Sequence, residues 1–230
     1  MRSLRYAFGA GVVVLGMFSL SLPSDLAQAE VYVGGQIGAH LPSSYSNVEA
    51  SAGTRPNINI SDLSLQDSLM YGAKVGYYFD SMKWEGFNLG VETEVFNATP
   101  HIEQQQWTFT GPGGTAKATF PGVNNRVLTW APFNIVVRYQ VGQFEPYAGI
   151  GLGVFFSHLS SGSFSSSSTD VGLNTQLGLR YRVTNDVSVF GEWKFNHASV
   201  SHNNIVGSGL NISADYNANI LAFGAAYHFN

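Results

Sequence analysis

The chain has 230 residues, with 11 Lys+Arg against 15 Asp+Glu, a formal net charge of −4 and only 11% charged residues. A mildly acidic chain without a basic run is no partner for nucleic acid, and with no cysteine it has no disulfide, thiolate nucleophile or Cys-ligated metal site. Soluble domains carry ~25% charge, so the composition is poor in charge for a water-facing surface, yet no stretch after residue 29 has the ~20 apolar residues of a membrane helix.

The first element is an export signal. Arg2 and Arg5 open it, Ala7 to Leu22 is almost wholly apolar or small, and Pro23, Ser24 and Asp25 break the run. Ala27-Gln28-Ala29 then offers a small-x-small cleavage pattern with Glu30 as the first mature residue. Cleavage leaves residues 30–230 as one domain with 9 basic and 14 acidic side chains, net −5. A cysteine-free chain also suits passage through an oxidising compartment.

Strict alternation then dominates. From Leu69 to Phe79 the odd positions are apolar and the even ones mostly small or charged, and Phe87 to Val95 and Leu173 to Val183 repeat the pattern. Successive side chains of a strand switch face, whereas a helix would need a 3.6-residue period. Val31 to Leu41, Val127 to Tyr139, Pro146 to Phe156, Val187 to Asn196 and Tyr216 to Phe229 complete eight expected strands, with Pro132 marking a bulge or a break in pairing. Short connections (Asp80 to Gly86, Gln140 to Glu145, Thr184 to Asp186) alternate with long ones (Pro42 to Ser68, Asn97 to Arg126, His158 to Asp170, His197 to Asp215). The long ones are rich in Ser, Asn, Gly and Thr, which predicts mobile, water-exposed loops that bury little.

The pattern predicts an all-β fold, a closed antiparallel up-and-down transmembrane barrel of about eight strands, with short periplasmic turns and long external loops. Aromatic girdles are expected from Tyr77, Phe79, Phe87, Tyr139, Tyr181, Tyr227 and Phe229 at the periplasmic interface and from Trp193, Phe195 and Tyr216 at the other. Lys74, Glu92, Glu94, Arg138, Arg180, Arg182, Glu192 and Lys194 fall on the inner face. Eight strands leave an interior just wide enough for side chains, so these charges read as a paired plug, with a narrow ion path as the rival.

Phe133-Asn134-Ile135-Val136-Val137-Arg138-Tyr139, then Pro146-Tyr147-Ala148-Gly149-Ile150-Gly151-Leu152-Gly153, together with Phe190-Gly191-Glu192-Trp193-Lys194-Phe195, resemble the OmpA-like and opacity-type outer-membrane β-barrel family. The ending Gly224-Ala225-Ala226-Tyr227-His228-Phe229 is similar to the assembly signal of last strands, with Gly224, Tyr227 and Phe229 as its marks; Ala222, where a polar residue is usual, and the following Asn230 depart from it. The resemblance implies a location in the cell outer membrane, with outer-membrane lipid and lipopolysaccharide, the barrel-assembly machinery and periplasmic chaperones as partners. It implies no cofactor and no metal site.

Chemistry has one foothold. His197-Ala198-Ser199 resembles the His-x-Ser of barrel lipid A deacylases, but Asn211 stands where their acidic partner is expected and Asp215 is the nearest downstream acid. His40, His158, His197 and His202 lie near the external rim with parities that do not share one face. The function read from the sequence is therefore non-enzymatic: an envelope-structural or adhesin-like, surface-interacting barrel that meets a host or environmental ligand through its external loops, the longest of which carries Trp107, Phe109 and Phe120. A narrow ion or small-solute channel is the alternative, and a lipid A-modifying hydrolase the remote one.

Overall fold

A computed structural model describes residues 30–52, 58–120, 122–161, 164–205 and 210–229; the export signal expected over residues 1–29, with Ala27 and Ala29, lies outside them. The described chain forms β1 (Glu30–Pro42), β2 (Ser46–Ala52), β3 (Ile58–Ile60), β4 (Ser68–Trp84), β5 (Phe87–Ala98), β6 (Gln105–Gly111), β7 (Gly114–Phe120), β8 (Asn124–Tyr139), β9 (Phe144–Ser161), β10 (Phe164–Arg182), β11 (Val187–Ile205) and β12 (Leu210–Phe229). Eight of them close a ring in the order β1-β4-β5-β8-β9-β10-β11-β12, and β12 pairs back onto β1 from Val31↔Phe229 to Pro42↔Ala218. Closure matters because lipid offers no partner to a free strand edge.

Alternation sets the two faces. On β10, Val171, Leu177, Leu179 and Tyr181 point outward while Asn174, Gln176 and Arg180 are buried. The short turn between β4 and β5 is only Glu85 and Gly86, both at positive φ (44° and 90°), the two-residue geometry whose twist suits a hairpin. β4 therefore runs five residues past the Phe79 limit expected from the sequence, pairing Trp84 with Phe87 beyond a register shift.

Pro132 sits in a bulge. The pairing slips by one residue against both neighbours, between Ala131 and Asn134 opposite Glu92 to Glu94 on β5 and between Trp130 and Phe133 opposite Leu152 to Val154 on β9. The slip changes which parity faces inward: Val127, Thr129 and Ala131 are buried before it, Asn134, Val136 and Arg138 after it.

The external connections are more structured than their composition predicts. The Pro42–Ser68 and Asn97–Arg126 segments contribute β2, β3, β6 and β7, which continue the wall outward in the order β12-β2-β3-β6-β7. They enclose a core of Tyr45, Val48, Ala50, Ile60, Leu63, Ile102, Val123, Val127, Phe155, Ala198, Val200, Tyr216 and Ala218. The Ser-rich segment pairs as the β9–β10 hairpin, Ser165–Ser168 opposite Ser157–Ser160. The expectation that these connections bury little is thus corrected: every second residue is small or apolar, and that suffices to fill a narrow interior once the wall is extended.

Outside, the periplasmic girdle consists of adjoining rings: Tyr77–Phe79 at 4.9 Å, Phe87–Tyr139 at 4.6 Å, Phe144–Tyr181 at 5.1 Å and Tyr227–Phe229 at 4.9 Å. Trp130 and Trp193 also face outward, their indole N–H groups donating to Thr93 and Asn219. Tyr216 does not belong to a girdle. Even positions of β12 point inward, so its ring is 2% exposed and packs on Phe155 and Tyr45.

Candidate functional site

Two regions of the interior present chemistry: a charged lumen inside the ring and an apolar cap above it. Tyrosine and glycine set the lumen's shape. Tyr32 lies opposite Gly76, Tyr78 opposite Gly90, Tyr147 opposite Gly178 and Phe190 opposite Gly224. A Cβ on Gly76 would stand 2.2 Å from the Tyr32 ring, and one on Gly178 2.4 Å from that of Tyr147. Each inward ring thus occupies the space its cross-strand glycine leaves.

In the middle of the lumen, Lys74 Nζ donates to Glu192 at 2.9 Å and Glu92 at 3.3 Å, while Lys194 Nζ lies 2.5 Å from Glu94 and 2.9 Å from Glu192. Hydroxyl and amide donors complete the carboxylates: Tyr32 to Glu92, Tyr147 to Glu192, Gln176 to Glu92 and Asn174 to Glu94, at 2.5–2.9 Å. These charges are at most 5% exposed, and an ion held there needs such partners to offset its desolvation.

Nearer the periplasmic mouth, Arg138 grips Glu30 with both terminal nitrogens, at 2.8 and 2.5 Å, and Arg182 and His228 meet the same carboxylate. Glu145 is shared by Arg138, Arg180 and Arg182. The Arg180 guanidinium lies 4.4 Å from the Tyr32 ring and 5.3 Å from that of Tyr147, and Arg138 stacks 3.8 Å from Tyr78. A polar groove of about 500 Å³ opens below, lined by Glu30, Gln140, Glu145, Arg182 and Asn185.

The eight charges placed inward by alternation all lie in these clusters, Arg182 at the half-buried mouth. Two further members were not recognised as such from the sequence: Glu30, read only as a cleavage residue, and Glu145, read as part of a turn. Parity identifies both, since Glu30 precedes inward Tyr32 and Glu145 precedes inward Tyr147 by two. With them, Glu30, Glu92, Glu94, Glu145 and Glu192 balance Lys74, Arg138, Arg180, Arg182 and Lys194.

Gly224 lies where a Cβ would be 2.2 Å from the Gly35 carbonyl and 2.4 Å from Phe190, and Tyr227 and Phe229 are half exposed on the lipid side. Ala222, apolar where a polar residue is usual, packs with Met70, Phe96 and Ile220 in a layer between lumen and cap. Above that layer His40 Nε2 meets the Tyr216 hydroxyl at 2.5 Å.

His197 and Ser199 face outward on β11. Ser199 Oγ donates to Asp215 Oδ1 at 2.9 Å, and His197 Nδ1 lies 2.8 Å from Asn217 Oδ1. A histidine-activated serine needs the imidazole between hydroxyl and acid; here the acid holds the hydroxyl directly. His158 also faces outward, against Ser167, opposite in direction to His40, and the His202 side chain lies outside the described residues.

A closed ring of eight antiparallel strands, apolar outside and charge-paired inside, defines a transmembrane β-barrel of the small outer-membrane class. The model of the outer membrane protein beta-barrel domain matches residues 10–229, and the chain belongs to that family of outer membrane proteins. It is similar in structure to the outer membrane protein OprG from Pseudomonas aeruginosa, with 15% identity, 88% of this chain and 96% of that chain covered, and a TM-score of 0.54. Neisserial surface protein A matches at 13% identity over 86% and 97% of the chains, TM-score 0.49. Ail of Yersinia pestis, solved with the heparin analogue sucrose octasulfate, matches at 11% over 88% and 99%, TM-score 0.43. A comparison with curated proteins finds no matching sequence.

Proposed function

We propose that this outer-membrane barrel is a closed, non-enzymatic scaffold whose activity is surface interaction through its extracellular cap. The observation that carries this reading is the filled interior. Lumen charges from seven ring strands pair with one another, the Met70–Phe96–Ile220–Ala222 layer lies above them, and the apolar cap core closes the outer end. A lumen of this kind offers ions no hydrated path, while the cap holds β2, β3, β6 and β7 in a defined shape, as recognition requires. Outer-membrane lipid and lipopolysaccharide surround the wall, periplasmic chaperones and the assembly machinery deliver it, and a host or environmental ligand meets the cap.

Planar-bilayer recording on the purified barrel separates this from the channel reading. The expected result is no unit conductance; steady channels that change selectivity in a Glu192→Gln variant would replace the scaffold by an ion path. In parallel, cells carrying a barrel whose β6–β7 hairpin is replaced by a short turn should lose surface binding to host matrix, serum factors or cells. Undiminished binding would end the surface reading.

A further inference from the structure

Among the described residues the wall of the cap does not close. Its order ends at β7, which pairs with β6 from Gln105↔Phe120 to Gly111↔Gly114 and has no second neighbour among the described residues. Among the described residues β9, the next strand of the ring beyond β8, pairs with β8 as far as Asn124↔Ser160, and β7 lies beyond that pair without a partner from it. Every residue from Gly114 to Thr119 is exposed. Natural edges are usually shortened, bulged, covered or charged; this one is unbroken in register, and Lys117 is its one charge.

We infer that β7 is a docking edge for an extended segment of a partner protein, which adds as a further strand; this rests on the surface-interaction reading above. The backbone supplies the first half of the fit. Alternation from the closing pair Gly111↔Gly114 leaves Thr115, Lys117 and Thr119 with N–H and C=O groups directed at the open edge. Side chains supply the second. Ala116 and Ala118 stand opposite Phe109 and Trp107, on the face that turns to the cap core. An apolar groove of about 480 Å³, lined by Ile58, Phe109, Pro112 and Ala116, flanks the strand there. Lys117 faces the other way and is the only charged residue between Gln104 and Asn125, a local positive site on a net negative chain.

The partner segment therefore alternates apolar residues, which fill the groove, with polar residues that include a carboxylate opposite Lys117. A second copy fits less well. Copies in one membrane are related by rotation about its normal, which leaves both β7 strands running in the same sense and sets like backbone groups opposite each other.

The test uses the full barrel in nanodiscs and a labelled peptide of about seven residues alternating valine and threonine around a central glutamate. Saturable binding is expected, weakened about tenfold or more by Thr119→Pro, which removes an edge donor at a position where an edge strand tolerates proline. Lys117→Glu should weaken it likewise and be rescued by a peptide with central lysine. Equal binding by wild type and Thr119→Pro, absence of binding, or failure of the charge swap overturns the inference. So does a dimer that Thr119→Pro dissolves, or sulfated-polymer binding that follows Lys117 alone. If the hairpin replacement abolishes cell-surface binding while Thr119→Pro leaves it intact, the edge fails and the surface reading stands.

Discussion

The lumen and the cap are built by the same strands yet are opposite in chemistry. Within the membrane the wall faces lipid, so the apolar residues point outward and the interior holds Lys74, Glu94, Glu192 and Lys194. Above the membrane the same wall faces water, and Val48, Leu63, Val127 and Phe155 point inward instead. The change takes place along single strands: β11 buries Glu192, Lys194 and Asn196 low down, then Ala198 and Val200 higher up. Solvent outside the wall therefore decides what the inside is made of, and one barrel contains a membrane protein and, continuous with it, a small water-facing one.

The largest expected effect falls on the lumen. Glu192→Ala removes the carboxylate shared by Lys74, Lys194 and Tyr147 and leaves two ammonium groups short of a partner, a loss of roughly 3–5 kcal/mol. Urea-driven unfolding in vesicles and heat-modifiable gel migration read it; unchanged migration would remove the case for a stability-bearing network. Leu63→Ala strikes the cap alone. It should cost about 2–5 kcal/mol locally, seen as faster proteolysis within residues 43–67, while gel migration stays normal. Co-operative loss of both regions would show that cap and lumen are one folding unit.

On the outer face, Leu177→Arg puts a charge at the centre of the apolar side of β10 and should cost about 2–4 kcal/mol in lipid, with little effect in detergent-free assays of cap proteolysis. The smallest effect is a pH dependence of the cap. Hydrogen bonds from Asn47 and Ser199 hold the Asp215 carboxyl below its usual 3.8. A depressed carboxylate contributes stability that is present above its unfolded value and lost as pH falls through the folded one. Proteolysis near Asn47 should therefore rise slightly below about pH 4 in wild type, and Asp215→Asn should flatten that rise.

Much of the membrane-embedded part is legible by counting residues in twos. Eight strands, the girdle from Tyr77 to Phe229 and the inward set from Lys74 to Lys194 all follow from a period that lipid outside makes strict. Where the period is interrupted, legibility ends. Pro132 pointed to a bulge, but the identity of the inward residues on either side of it depends on a one-residue slip that only pairing with β5 and β9 establishes. Glu30 and Glu145 lie just outside the strand limits expected from the sequence, at a cleavage site and in a turn, although parity from Tyr32 and Tyr147 places both inward. Tyr216 was assigned by aromatic type instead of parity, and parity was right.

Composition misled in the external segments for a different reason. Ser, Gly and Asn-rich chains cannot form a core alone, but here Val48, Ile60, Ile102 and Val123 need only fill the top of a wall already standing. Thus local sequence determined the strands and their faces, because a two-residue period is a local property. The tertiary structure decided which charges pair, that the long connections fold into a cap, and that among the described residues β7 has no neighbour besides β6. Those outcomes depend on contacts between residues tens of positions apart, which no local period records.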